Sequence, residues 1–148
     1  MLFRSDRIAH ALGASQVELL TFTDPRTDGT VATPSVTRAD AGRRGAYGGG
    51  GEARLLLDAG SPFRAMEVRG DNLDPGPPWV HAEHEWFYVL AGRVEVDLDG
   101  RLELLGTGDS LSCPGGVAHR WRSPDGTPYT LLIVKEQVRP TTPPSEAP

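Results

Sequence analysis

The sequence has 148 residues, a net charge of −5 and one cysteine. This length suits one domain, and a lone cysteine excludes an intramolecular disulfide. The absence of a disulfide favours a reducing, cytoplasmic location. Fourteen arginines and one lysine are spread without a basic stripe, and no apolar run reaches membrane-spanning length, so we expect neither nucleic acid nor a membrane as a partner.

The first 50 residues predict an N-terminal arm or short helix followed by a loop. Ser5 can cap a helix that Gly13 ends, and Val17–Leu20 has the composition of a strand start. Residues 24–51 are rich in Thr, Gly, Asp and Arg and end in four consecutive glycines, which favours a mobile loop between elements, with a lid as the alternative. We expect residues 1–50 to pack on the domain that follows.

From residue 52 onward, short apolar runs alternate with turn residues, which predicts an all-β antiparallel sandwich or barrel over residues 51–138. Asp99-Gly100 is the signature of a two-residue hairpin turn. The proline-rich residues 139–148 predict a disordered tail. The predicted strands are Ala53–Leu57, Phe63–Val68, Trp86–Leu90, Val94–Leu98, Leu102–Leu105, Ser110–Cys113 and Tyr129–Val134.

Three of the four histidines lie in two short segments, residues 76–92 and 108–119. His81 and Glu85 are four residues apart, so one strand can point both into a barrel, while His119 can approach from a separate hairpin. Two neutral imidazoles and one carboxylate leave positions open on a metal. Such a set suits non-haem Fe(II) and accommodates Mn, Ni, Co or Zn.

The two segments resemble the two signature motifs of the cupin superfamily, and the resemblance covers roughly residues 50–135. It implies an antiparallel double-stranded β-helix, or jelly-roll barrel, and a metal site. Trp79 stands where the first motif has its first histidine, and Ser123 stands where the second usually has asparagine. The matching residues are His81, Glu85, Gly92, Gly108, Pro114, Gly116 and His119.

The resemblance therefore implies a three-ligand site of His81, Glu85 and His119, similar to the two-His-one-Glu iron site of the cupin epoxidases. The alternative for Glu85 is a place at the barrel mouth, bound to Arg120 or Arg122.

Other polar residues near the motifs have two interpretations each. Glu83 shares the parity of Glu85 and can join it as a catalytic acid or base, or it can be a solvated mouth residue. His84 points to the opposite face and is structural unless a bulge shifts the strand. Cys113 is core filler rather than a nucleophile, because no base stands beside it in sequence.

Large apolar residues supply the expected pocket wall. Phe87 and Trp121 share parity with Glu85 and His119, so we expect them inside the barrel. Trp79 and Met66 are further wall candidates, and Phe63 is an alternative to Met66 on the same strand.

The expected activity is that of a metal-dependent enzyme on a small, apolar or aromatic molecule, with Fe(II) favoured. The resemblance offers an oxygenase first and a cyclase or isomerase, with zinc, second. A non-catalytic binding protein is the third possibility, because one of four ligands is missing. Small cupins pair by exchanging N-terminal strands, so we expect a homodimer through Val17–Phe22.

Overall fold

The computed structural model describes residues 33–48, 51–58 and 60–137, which contain nine β-strands and no helix, hence no helix that could span a membrane. The strands are β1 (Arg44–Tyr47), β2 (Gly51–Leu55), β3 (Phe63–Gly70), β4 (Glu85–Ala91), β5 (Arg93–Leu98), β6 (Arg101–Gly106), β7 (Ser110–Cys113), β8 (His119–Arg122) and β9 (Tyr129–Glu136). They form two antiparallel sheets, ordered β1-β2-β3-β9-β4-β7 and β6-β5-β8. This arrangement confirms the predicted all-β fold class. The predicted helix, the strand start at residue 17 and the proline-rich tail lie outside the described residues.

The core lies between the two sheets, and strand β9 lies in the interior of the larger one. β9 pairs with β3 on one side and β4 on the other, so that Ile133 faces Met66 and Phe87 in one cross-strand row. All three side chains are buried. The smaller sheet contributes Val96 and Trp121, which also are buried. Alternation of buried and less buried residues along strands such as β3 and β9 therefore fills the interior with apolar side chains.

The hairpin between β5 and β6 has the predicted two-residue turn. Asp99 and Gly100 have φ angles of 50° and 89°, the left-handed conformation that such a turn requires at both positions. The Gly100 N–H donates to Asp97 Oδ1 at 2.8 Å. Leu98 and Arg101 consequently face each other in register.

Strand β1 lies within residues 24–51, where we expected a loop, and that expectation is wrong for Arg44–Tyr47. These residues pair with β2 at the edge of the larger sheet. The sequence concealed the strand because only Tyr47 is buried in it, so neither an apolar run nor a clear alternation appears.

Strand β8 was also outside the predicted runs. Its inward residues are His119 and Trp121, whereas its outward arginines donate to carboxylates of β5. Alternating charge and aromatic residues thus form a strand without an aliphatic run.

A buried hydrogen-bonded network joins β8, β9 and the connection before β4. The Trp121 indole N–H donates to Tyr129 Oη at 3.1 Å, and the Tyr129 hydroxyl donates to Asn72 Oδ1 at 2.6 Å. Asn72 Nδ2 in turn donates to the Trp121 carbonyl. A Cβ at Gly70 would lie 2.6 Å from Tyr129 Oη, so glycine makes room for the phenol.

We expect Tyr129→Phe to lower the free energy of unfolding by about 1–3 kcal/mol, because it leaves the Trp121 donor without its acceptor. Burial and the charge of Asp71 raise the pKa of Tyr129 to about 12, above the unfolded value. The phenol therefore stabilises the fold below pH 10, and this contribution declines between pH 10 and 12.

Urea unfolding at pH 7 and across pH 10–12 measures both effects. Tyr88→Phe is the matched control, because Tyr88 is only partly buried and stacks on Trp86. Equal losses in the two variants would contradict the assignment.

Candidate metal centre

Three side chains from different parts of the fold converge at one end of the barrel. Glu85 begins β4 in the larger sheet, His119 begins β8 in the smaller sheet, and His81 precedes β4. Glu85 Oε1 lies 3.1 Å from His81 Nε2, and Oε2 lies 3.2 Å from His119 Nε2. One donor atom from each residue lies within 4.8 Å of the others. The predicted proximity of the three residues is confirmed.

His81 does not share a strand with Glu85, so the predicted geometry of that pair is wrong. The chain bends at Ala82 and Glu83, and β4 begins only at Glu85. Two residues that are four apart can reach one ion either from the same face of a strand or across a bend. The spacing alone therefore did not distinguish a strand from a bend.

Backbone hydrogen bonds fix the segment that carries His81. Trp79 and His119 exchange two of them, at 2.7 and 3.0 Å, and Gly116 N–H donates to the His81 carbonyl at 2.8 Å. A Cβ on Gly115 would overlap the Ala82 carbonyl. The glycine turn before β8 therefore lets the His81 segment lie directly against it.

Both imidazoles are oriented by carbonyl groups. His81 Nδ1 lies 3.1 Å from the carbonyl oxygen of Glu83, and His119 Nδ1 lies 2.9 Å from that of Val117. A carbonyl only accepts hydrogen bonds, so each Nδ1 carries a proton, and a ring in its neutral form presents its Nε2 lone pair toward Glu85. Histidines that ligate metals have this arrangement.

The buried polar atoms of the cluster fit a metal ion. His81 Nε2 and Glu85 Oε2 are buried and make no hydrogen bond within the described part of the chain. A lone pair facing a carboxylate is unfavourable unless a proton or a cation lies between them. The 3.1 and 3.2 Å separations agree with the roughly 3 Å edges expected for ligands about 2.0–2.2 Å from an ion.

Electrostatics keep Glu85 ionised. Burial alone would raise its pKa, but contacts with His119 and His81 and the charge of Lys135 outweigh burial and hold the pKa well below the usual range. Burial lowers the pKa of His119, yet its contact with Glu85 raises that pKa above the ordinary value. A proton and a metal ion therefore compete for the same imidazole.

Lys135 is a member of the site that the sequence analysis missed. Its Nζ lies 3.6 Å from Glu85 Oε1, and the side chain is 2% exposed. The signal was present, because Tyr129, Leu131 and Ile133 alternate along β9 and residue 135 continues their inward face. The alternative partners of Glu85 are wrong, since the two arginines of β8 pair with carboxylates of β5.

The two polar neighbours of the ligands lie outside the cluster. The Glu83 carboxylate approaches His81 Nδ1 to 3.4 Å, and its role as acid or base stays a prediction. His84 is exposed, and its Nε2 lies 2.7 Å from Ser112 Oγ, so it faces away from the three ligands as the sequence analysis expected.

Aromatic rings continue from the cluster into the core. Phe87 meets His119 edge-on at 5.9 Å and Trp121 at 5.3 Å between ring centroids. Tyr47, which the sequence analysis did not select, lies 5.7 Å from Trp121 and 5.9 Å from Trp79. We call these four side chains, Phe87, Trp121, Tyr47 and Trp79, the aromatic wall.

The remaining candidate residues, apart from Phe63, are buried in the core. Met66 is fully buried in the same cross-strand row as Phe87, whereas Phe63 is 46% exposed, so Phe63 is not an interior residue. Cys113 is buried, and burial together with the charges of Glu85 and Asp99 raises its pKa to about 11. This environment suits a neutral core thiol. Ser123 is buried and donates to the Thr127 carbonyl at 2.9 Å.

Comparison with protein families matches residues 66–135 to the family model described as Cupin domain. The match runs from β3 into β9 and includes all three residues of the cluster. Quercetin 2,3-dioxygenase from Bacillus subtilis (strain 168) is 38% identical over 64 residues, which are 43% of this chain and 19% of the dioxygenase. The chain thus corresponds to about a fifth of that relative.

Two solved structures have a similar fold. An RmlC-like cupin from Shewanella frigidimarina NCIMB 400 gives a TM-score of 0.62 at 23% identity, covering 73% of this chain and 95% of that protein. The polyketide cyclase RemF from Streptomyces resistomycificus gives 0.59 at 26% identity, covering 74% of this chain and 82% of the cyclase. Together with the family match, they extend the likeness to most of the described residues.

We expect Glu85→Gln and His119→Ala to reduce bound metal from about one ion per chain to below about a tenth, because each removes one of three ligands. Elemental analysis after dialysis against Fe(II) under anaerobic conditions, or against Zn(II), measures the content. His84→Ala is the control and should retain the wild-type content. Unchanged metal in both ligand variants would contradict the site.

Metal affinity should rise between pH 6 and pH 8. The raised pKa of His119 means that a proton must leave before the imidazole binds an ion, whereas Glu85 is already ionised in this range. Each displaced proton changes the affinity by up to about tenfold per pH unit. Co(II) titrations followed by visible absorption at pH 6, 7 and 8 measure the change, and a constant affinity would refute the competition.

Proposed function

Because the chain belongs to the cupin superfamily, we propose that it is a metal-dependent enzyme, foremost a non-haem iron oxygenase, acting on a small apolar or aromatic molecule. The observation that carries this proposal is the buried face of two histidines and one glutamate. Such a face suits Fe(II) and leaves coordination positions open. The match to a quercetin 2,3-dioxygenase supports oxygenation among the reactions of cupins.

Iron bound at His81, Glu85 and His119 would supply the redox centre for reaction with O₂. The protein supplies orientation and a dry environment. The carbonyl contacts at Nδ1 hold the imidazoles in one tautomer. Trp79, the partly exposed member of the aromatic wall, would give an apolar substrate a flat surface to pack against. We propose Glu83 as the candidate acid or base beside Glu85, because its carboxylate lies next to His81.

A zinc-dependent cyclase or isomerase is the second candidate function. The 26% identity to the polyketide cyclase RemF favours it over other non-redox activities. The same three ligands accommodate zinc, which would polarise a substrate oxygen without changing oxidation state. A binding protein without catalysis is the remaining alternative, and it requires that the site hold no metal in solution. Homodimer formation through residues 17–22 stays a prediction.

The choice between these functions is testable by the metal and by O₂. We expect anaerobically purified protein to retain Fe(II) and to consume O₂ when flavonols or related aromatic substrates are added, as measured with an oxygen electrode. His119→Ala should lower the rate at least about a hundredfold because it removes a ligand of the redox centre, while His84→Ala should not. Turnover with zinc and without O₂ would establish the cyclase or isomerase instead.

A further inference from the structure

The inner face of the larger sheet carries one row of charged residues at its metal-centre end. Lys135 on β9 is in register with Glu85 on β4 and with Arg64 on β3, and Cys113 on β7 completes the row beyond Glu85. All four side chains are at most 7% exposed. The next row consists of the apolar residues Met66, Ile133, Phe87 and Leu111.

The lysine stands out from the other basic residues of the chain. It is the only lysine among 15 basic residues, and it lies in the interior beside the cluster. An ammonium group is a compact charge with three donors on a flexible stem. Burial of such a group is costly unless anions face it.

Lys135 lies next to the carboxylate that would hold the ion. Its Nζ approaches Glu85 Oε1, the oxygen that His81 also contacts. An ion bound by Glu85 would draw on the same carboxylate that Lys135 now faces, and the ion would add positive charge beside the ammonium. Low polarity inside the barrel strengthens the attraction of both charges for an anion. Lys135 and Arg64 each make at least one further interaction. Because Nζ lies 3.6 Å from Glu85 Oε1, a ligand on an ion held by Glu85 would lie near the ammonium group.

We infer that the substrate is an apolar or aromatic acid, whose carboxylate binds Lys135 next to the metal while its apolar part packs on the aromatic wall. This inference rests on the proposed function and names the class of substrate for the same site. Arg64, one strand beyond Lys135, is placed to extend the cationic surface. If Lys135 only balanced the charge of Glu85, its replacement by methionine would leave the preference for acids over neutral amides unchanged.

Benzoate and benzamide are suitable probes, because they share size and shape and differ in charge. Selective ¹³C labelling of lysine gives a single side-chain Cε signal, since the chain has one lysine, and this signal reports directly on Lys135. With zinc-loaded wild-type protein we expect benzoate to shift the signal and to bind at least about tenfold more tightly than benzamide, as a charge-assisted hydrogen bond requires. Intrinsic tryptophan fluorescence provides the second binding measurement for all variants.

Lys135→Met keeps a similar length and removes the charge, so it should lose most of the preference for benzoate over benzamide. Lys135→Arg should restore part of the preference for benzoate. Arg69→Met, which removes a charge from the outer face of β3, is the matched control and should bind like the wild type.

Zinc content is measured on every sample, and the titrations are repeated on zinc-free protein. A wild type that holds zinc but does not prefer benzoate would overturn the inference and leave the metal centre standing. A preference that survives in a folded Lys135→Met variant would also overturn it. A wild type that holds no metal would overturn the proposed function, and the zinc-free titration would still show whether Lys135 binds an acid.

Discussion

The burial of one carboxylate is the constraint on which the rest of the site depends. Glu85 is 1% exposed, and an ionised carboxylate in such a place is unstable without positive charge or hydrogen-bond donors around it. The fold meets this requirement from three directions, with His81 from the connection before β4, His119 from β8 and Lys135 from β9. These groups hold the pKa of Glu85 low and so keep it in the form that binds metals.

The remainder of the barrel isolates this polar cluster from the apolar core. On the inner face of the larger sheet, only one cross-strand row is charged among the described residues, and the next inner row is filled by residues such as Ile133 and Phe87. Phe87 contacts the ring of His119 edge-on. The same side chain therefore borders the polar cluster and belongs to the aromatic wall. A ligand there would meet charged groups at one end and apolar side chains at the other.

Local signals were sufficient for much of this fold. The Asp99-Gly100 turn could be placed because turn chemistry acts over a few residues, and Glu85 and His119 could be placed because their segments resemble the two cupin motifs. Tyr47 and Lys135 were missed because their importance comes from partners distant in sequence, on β8 and β4. The position of His81 was misjudged for a related reason, since backbone contacts with β8 and its preceding turn, rather than a strand, hold it in place.

The location of the ligands on different sheets has a mechanical consequence. Glu85 belongs to the larger sheet and His119 to the smaller one, so an ion held by both would act as a clasp across the barrel. Free energy gained in binding that ion would oppose the separation of the sheets, because only the closed barrel presents both ligands. Binding of the ion and closure of the barrel would thus be linked equilibria, each of which favours the other.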